Sequence, residues 1–378
     1  MRTFTAWLSA IAFLAILSVA GTGCKKELLS KGRVSDSTIL AGSGAAGHRD
    51  GPADSATFYK PFGLALDNTG NLYIADEGNH LIRKIDPASL VTTLAGAAGI
   101  AGFVNAADTS ASFNKPFGVA TDASGNVYVA DAGNNVIRFI TPAGVVSTFA
   151  GTGVAGAANG KDTATFDSPL GVAADQSGVV YVADYGNNLV RKITPDGTVS
   201  TFAGKNGVTG STNGLDTAAT FDLPQSLAVD GAGNVYVADN GNNMIRKITP
   251  DGMVSTLAGN GSVGSANGSG ASATFNSPFG IAVDAAGNVY VADSGNNLIR
   301  KITPGGVVST FAGSGARGAS NGTGASATFN TPSGLAVDGS GNVYVADENN
   351  NLIRKITPAG VVSTLASRGK KDAPNLKK

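Results

Sequence analysis

The sequence predicts an all-β fold, a six-bladed β-propeller of four-stranded antiparallel blades, from three observations. One phrase recurs six times at a spacing of about 54 residues, starting at Pro61, Pro116, Pro169, Pro224, Pro278 and Pro332. Each copy holds four short runs rich in β-branched and aromatic residues. The connections inside a copy are short enough to force antiparallel hairpins. A four-stranded meander cannot bury both of its faces alone, whereas six stacked radially bury each sheet against the next and leave only short edges.

The second copy shows the elements in order. Residues 118–121 (Gly-Val-Ala-Thr) form a short strand of small side chains, suited to the crowded centre where six strands converge. The turn Asp122-Ala123-Ser124-Gly125-Asn126 begins with an acceptor side chain and carries glycine where positive φ is needed. Residues 126–130 alternate as a second strand, and Asp131-Ala132-Gly133-Asn134 is the next turn. Its glycine becomes Asn349 in the sixth copy, which reads as a left-handed position that asparagine tolerates. Residues 136–140 and 145–149 are the third and fourth strands, joined by Thr141-Pro142-Ala143-Gly144, with proline at the second turn position and glycine at the fourth.

Between copies run connectors of about 20 residues, longer than ordinary loops. A recurring Ala-Thr-Phe supplies internal packing, so they are expected to be ordered and to lie on the face that carries the Asp-x-Gly-Asn-Asn turns. Residues 37–42 (Ser-Thr-Ile-Leu-Ala-Gly) repeat the fourth-strand phrase a seventh time. They are expected either to close the ring at blade six or to add a fifth strand there.

The first copy contains Asn79-His80-Leu81 within Ala75-Asp76-Glu77-Gly78-Asn79-His80-Leu81-Ile82-Arg83, and the other copies read Asn-Asn-Leu, Asn-Asn-Val or Asn-Asn-Met there. The six units resemble NHL repeats from about Val34 to Ala366. That resemblance implies a six-bladed propeller of a kind that serves mostly in binding and recognition.

A residue present six times is expected to hold each copy together rather than to perform one act of chemistry. The first aspartates (Asp67, Asp122, Asp175, Asp230, Asp284, Asp338) read as turn caps. The second set (Asp76, Asp131, Asp184, Asp239, Asp293, Asp347) and Arg83, Arg138, Arg191, Arg246, Arg300 and Arg354 read as ion pairs or backbone contacts. The repeated tyrosines and the phenylalanines of Phe-x-x-Pro read as core. Asp-x-Gly-Asn-Asn offers one carboxylate, too few for a calcium loop.

The domains expected are a signal peptide over 1–23, a linker over 24–36, the propeller over 37–366 and a basic tail over 367–378. An apolar run over residues 6–20 is shorter than the roughly 20 residues of a spanning helix and fits a signal h-region. The following Gly-Thr-Gly-Cys resembles a bacterial lipoprotein signal, with Cys24 as the lipidated residue, although Gly21 stands where such signals usually carry leucine. Cleavage after Ala20 is the alternative. Cys24 is the sole cysteine, so no disulfide or thiolate chemistry is available within the repeats. Basic and acidic residues balance at 27 each, which argues against nucleic acid as a partner.

Function is therefore sought where the copies differ. The variable positions are the residue after the first proline, namely Phe62, Phe117, Leu170, Gln225, Phe279 and Ser333, and the residue after the second aspartate, among them Glu77, Tyr185, Asn240 and Glu348. Both histidines, His48 and His80, fall in the first copy near Asp50, Asp76 and Glu77. The ligand-binding candidates are Phe62, Glu77, His48, His80, Phe117, Tyr185, Gln225, Asn240, Phe279 and Glu348, with no catalytic residue, cofactor or metal assigned. Two histidines do not make a three-histidine metal site, and neither carries a nucleophile motif beside it. The expectation is a monomeric, non-catalytic binding or scaffold propeller, lipid-anchored at the bacterial cell envelope, whose partner is a protein or other envelope ligand. The alternative is a metal-dependent propeller hydrolase or lyase.

Overall fold

The computed structural model describes residues 41–364. The expected signal peptide, Cys24, the linker and the basic tail lie outside the described residues. Within them, six antiparallel sheets form the blades. The inner strands are Pro61–Leu66, Pro116–Thr121, Pro169–Ala174, Pro224–Val229, Pro278–Val283 and Pro332–Val337. In blade one the next three strands are Leu72–Asp76, Leu81–Ile85 and Leu90–Ala95. The other blades repeat this order.

The ring closes on glycine. A Cβ on Gly171 would lie 2.7 Å from the Ser226 Cα of blade four, and one on Gly334 would meet the Phe62 carbonyl of blade one. Only a residue without a side chain lets inner strands approach this closely. Blade four carries Ser226 at that place, and its inner strand alone pairs there with its neighbour, Ser226 opposite Ala238. Between blades lie apolar clusters. Leu64, Leu72, Ile74, Ile85 and Val91 of blade one pack with Tyr344, Ala346 and Ile353 of blade six and with Phe58 of the connector.

The seam between blades six and one is tied by the chain's other end. Ala41 pairs antiparallel with Ile353, whose N–H donates to the Ala41 carbonyl at 2.7 Å. In blade one the corresponding pair is Ile82 with Ala95, so Ala41 occupies the place of an outer-strand alanine. The blade-six outer strand Val361–Ser363 supplies the other end of that edge. Ala41 thus extends the blade-six edge beyond Ser363; residues 37–40 lie outside the described residues.

Two expectations are corrected. The connectors do not stay on one face: in blades one, four, five and six they add a two-residue fifth strand, such as Gly51–Pro52, to the outer edge, and in blades two and three a single bridge does the same. The unsatisfied outer-strand edge draws the connector down the blade's flank, a long-range pairing that local sequence does not encode. The glycine of the third turn also has another cause. Gly133 and its equivalents do not have positive φ, whereas the residue two places later does, at 60° in His80 and 54° in Asn135. Glycine is needed there for space, since a Cβ on Gly186 would lie 2.6 Å from the Asp167 Cγ.

Each blade holds a fully buried ion pair, Arg–Asp at 2.7–2.9 Å, as in Arg246 with Asp239 and Arg83 with Asp76. The second Asp239 carboxylate oxygen accepts the Asp222 N–H at 2.8 Å, while Asn242 donates to the oxygen that binds Arg246. Arg246 also reaches the Thr220 and Thr212 carbonyls and Asn213 Oδ1, with its guanidinium over the Phe221 ring. Burial is tolerated because nearly every donor and acceptor is matched. The pair ties two blade strands to the connector, which explains why the connector is ordered.

Candidate functional site

The inner strands start at the face that carries the long connectors and end at the face of the short Asp-x-x-Gly turns. Phe62, Phe117, Leu170, Gln225, Phe279 and Ser333 therefore converge at the long-loop mouth of the channel. Phe62 lies 4.5 Å, ring to ring, from Phe117 and 5.9 Å from Phe279. Phe62, Leu170, Gln225 and Ser333 are buried. These residues crowd the mouth as a plug, in which the candidates Phe62 and Gln225 are buried and the candidates Phe117 and Phe279 stay part-exposed. Beneath the plug is a void of about 40 Å³, lined by Gln225, Ser226 and the ring glycines, large enough for water.

The second set of variable positions stands around this plug, in 3-10 turns such as Glu77–Asn79, Tyr185–Asn187 and Glu348–Asn350. Asn240 donates to the Pro278 carbonyl at 3.1 Å and so links blade four to blade five. Ser294 makes the matching bond to Pro332 in the next junction. Glu348 behaves differently. Burial pushes its carboxyl up to about 7, opposed by the Lys60 charge and reinforced by that of Glu77. The seam of blades six and one thus gathers two carboxylates and an ammonium beside the plug, with Tyr185, half-buried, on blade three.

The histidines do not make a joint site. His80 Nδ1 accepts the Lys115 N–H at 3.0 Å, taking over the role that Asn135 Oδ1 plays toward Ser168. Asp50 and Asp76 both bind Arg83, at 2.6 and 2.9 Å, so neither is available to a histidine. His48 is exposed. Among the described residues no group of three or more histidine, cysteine, aspartate or glutamate side chains could hold a metal.

One feature had no clear sequence signal. Ile100, Val154, Val208 and Val263 are exposed by 61%, 65%, 38% and 67%, in successive connectors that lead into blades two to five. The connectors into blades one and six carry Ala46 and Arg317 nearby. The apolar arc thus covers the part of the rim away from the charged seam. Single valines within long connectors look unremarkable until the ring aligns them.

This geometry defines a six-bladed β-propeller with a long-loop mouth crowded by phenylalanines and an asymmetric rim. The family model of the NHL repeat matches residues 58–85, 166–193, 221–248, 275–302 and 329–356, so blades one, three, four, five and six each carry an NHL repeat. The chain is 31% identical over 337 residues to NHL repeat-containing protein 2 of Bos taurus, covering 78% of this chain and 46% of that protein. It is also 31% identical over 281 residues to SUPPRESSOR OF QUENCHING 1 of Arabidopsis thaliana, covering 70% and 27% respectively. The chain therefore spans less than half the length of these curated relatives. Among solved structures, a Bacteroides thetaiotaomicron protein of unknown function superposes with a TM-score of 0.66 at 23% identity, covering 86% of this chain and 75% of that one. An auxiliary nutrient binding protein from the same organism gives 0.64 at 19% identity, with coverage of 84% and 75%. A streptogramin B lyase gives 0.53 at 14% identity, with coverage of 84% and 87%. At these identities the likeness is one of fold.

Proposed function

We propose that the protein is a non-catalytic binding propeller of the bacterial cell envelope, anchored through Cys24, which holds a protein ligand on its long-loop face. The observation that carries this reading is the asymmetry of that face. The apolar arc of Ile100, Val154, Val208 and Val263 lies opposite the seam of Glu77, Glu348 and Lys60, with a crowded channel mouth between them. A mouth narrowed by three phenylalanines favours a surface contact over a deep catalytic cleft, and an apolar arc bordered by charge is the pattern of a protein contact. The six buried aspartate–arginine pairs serve the blades, which leaves the non-repeated side chains for recognition. The nutrient-binding propeller of the same fold is consistent with a binding role.

Affinity capture from envelope extracts with the wild-type chain, a Val154→Asp/Val263→Asp variant and a Glu77→Lys variant tests this. A partner retained by the wild type and lost with both variants supports the proposal; a partner retained equally by all three refutes use of this face. Melting curves with chelator and then with calcium or zinc test the metal-enzyme alternative. A shift of several degrees would favour it over a plain binding module.

A further inference from the structure

Blade two departs from its sisters on its flank. Phe139 of its third strand stands where the other five blades carry a lysine, namely Lys84, Lys192, Lys247, Lys301 and Lys355. Each of those ammonium groups lies 5.4–5.8 Å from the centre of an aromatic ring of its own blade, as Lys301 does over Tyr290 and Lys192 over Phe202. The electron-rich ring face holds the cation there. In blade two the rings remain and the cation is gone. Among the described residues no lysine or arginine stands over Tyr128, Phe139 or Phe149, since Arg138 of the same blade covers Phe103 and Phe113 instead.

The three rings form one cluster. Tyr128 lies 5.3 Å from Phe139 and 5.0 Å from Phe149, edge to face, while Phe139 and Phe149 are 6.3 Å apart and 30° from parallel. Tyr128 is buried, whereas Phe139 and Phe149 are part-exposed. Against the cluster opens a cleft of about 370 Å³ between blades two and three, whose far wall is the turn Pro195-Asp196-Gly197 of blade three. That volume lies within the roughly 300–1,000 Å³ usual for small-ligand clefts.

The far wall supplies a negative charge. Hydrogen bonds from Thr194 and Thr198 hold the Asp196 carboxyl below the usual carboxylate range, so it is ionised at neutral pH. Its ion pair with Lys161, at 3.9 Å between side chains exposed by 57% and 59%, is one that solvent readily opens. Aspartate recurs at this turn position only as Asp251, beside blade three, where Lys192 already supplies the cation. Rings without a cation and a facing carboxylate thus coincide in one cleft.

We propose that this cleft binds the quaternary ammonium group of a small soluble molecule, with its methyl groups against Phe139 and Phe149 and its charge shared between the ring faces and Asp196. A methylated head suits the place better than a primary amine, because the rings offer no acceptor for N–H groups and a quaternary nitrogen has none to satisfy. The site is on the propeller's flank, separate from the long-loop face, and stands or falls independently of partner capture there.

Ligand-observed NMR titration of the full chain with choline, its neutral carbon isostere 3,3-dimethylbutanol and phosphocholine tests the inference. Choline is expected to bind saturably, at least about fivefold more tightly than the isostere, and more tightly than phosphocholine, whose phosphate brings negative charge toward Asp196. Phe139→Lys restores the residue of the sister blades, and Phe149→Leu that of blades one and four. Both variants should melt as folded proteins and bind choline at least about fivefold more weakly. Asp196→Asn should weaken binding at low salt and have less effect at high salt. Val263→Asp on the long-loop rim should leave it unchanged. Equal affinity for choline and its isostere would make the cleft a merely apolar surface, and tighter binding of phosphocholine would assign it to a lipid headgroup. Either result overturns the inference, as does choline binding that survives Phe139→Lys or the absence of saturable choline binding.

Discussion

His80 of blade one accepts the backbone N–H of Lys115 in blade two through Nδ1, at 3.0 Å. At the next three junctions, and at the blade-five and blade-six ones, an asparagine Oδ1 accepts the same N–H, as Asn188 does from Leu223 at 2.8 Å. The acceptor sits at positive φ in every blade, a conformation asparagine adopts more readily than most residues. The histidine that looked like a functional departure therefore performs the repeat's ordinary inter-blade bond.

His80→Asn should accordingly fold with unchanged or slightly higher stability. His80→Ala loses the acceptor and leaves the Lys115 N–H without its partner, at a cost of about 1–2 kcal/mol. Thermal or denaturant unfolding of the two variants checks this. Equal losses for Asn and Ala would show that the bond contributes nothing.

Removing one partner of a buried pair should be far more damaging. Arg246→Met leaves the Asp239 carboxylate fully buried with its strongest donor gone, and an expected loss of about 3–5 kcal/mol follows. The loss should be similar for Asp239→Ala, and the double variant should cost much less than their sum. Additive losses in that cycle would contradict a coupled pair.

How much of this was legible in sequence depended on distance along the chain. The turn around Asp67 is local: Asp67, Thr69, Gly70 and Asn71 carry their own hydrogen-bonding instructions, and the structure follows them. The four strands were equally legible, since alternation is a property of neighbouring residues. The connector's pairing of Gly51 with Val91 joins residues 40 apart, and nothing in either segment announces it. Gly133 was misread because steric crowding and positive φ call for the same residue, and only the position of Asn114 separates them. The plug failed to appear for a similar reason. Phe62 and Phe279 belong to different blades, and their contact exists only once the ring is closed.

Gln225 offers a test of the plug itself. It is 7% exposed, and no other described residue hydrogen-bonds its side-chain amide, while the corresponding residues of blades one, two and five are phenylalanines. Gln225→Leu should stabilise the protein by up to about 1 kcal/mol by replacing an amide that has no protein partner with an apolar side chain among the phenylalanines. A lower melting temperature would mean that the amide makes a bond worth keeping, with water in the void of about 40 Å³ beneath it.

The charged seam should make stability depend on pH in an unusual direction. Burial raises the Glu348 carboxyl from 4.5 to about 7, with Lys60 opposing and Glu77 adding to the rise. Between those two values the folded chain holds a proton that the unfolded chain releases, so this group's contribution is full below pH 4.5 and fades as pH rises through about 7. Glu348→Gln removes the titration. Unfolding free energies measured from pH 4.5 to 8 should therefore show the wild type losing ground to the variant, by on the order of 2 kcal/mol across the window after allowing for partial exposure. Glu77→Gln removes the neighbouring negative charge while leaving Glu348 to titrate, so it should lower the Glu348 pKa and narrow the window without abolishing it. Parallel pH profiles for all three proteins would show that Glu348 is ionised normally, and the seam would then be an ordinary solvated edge.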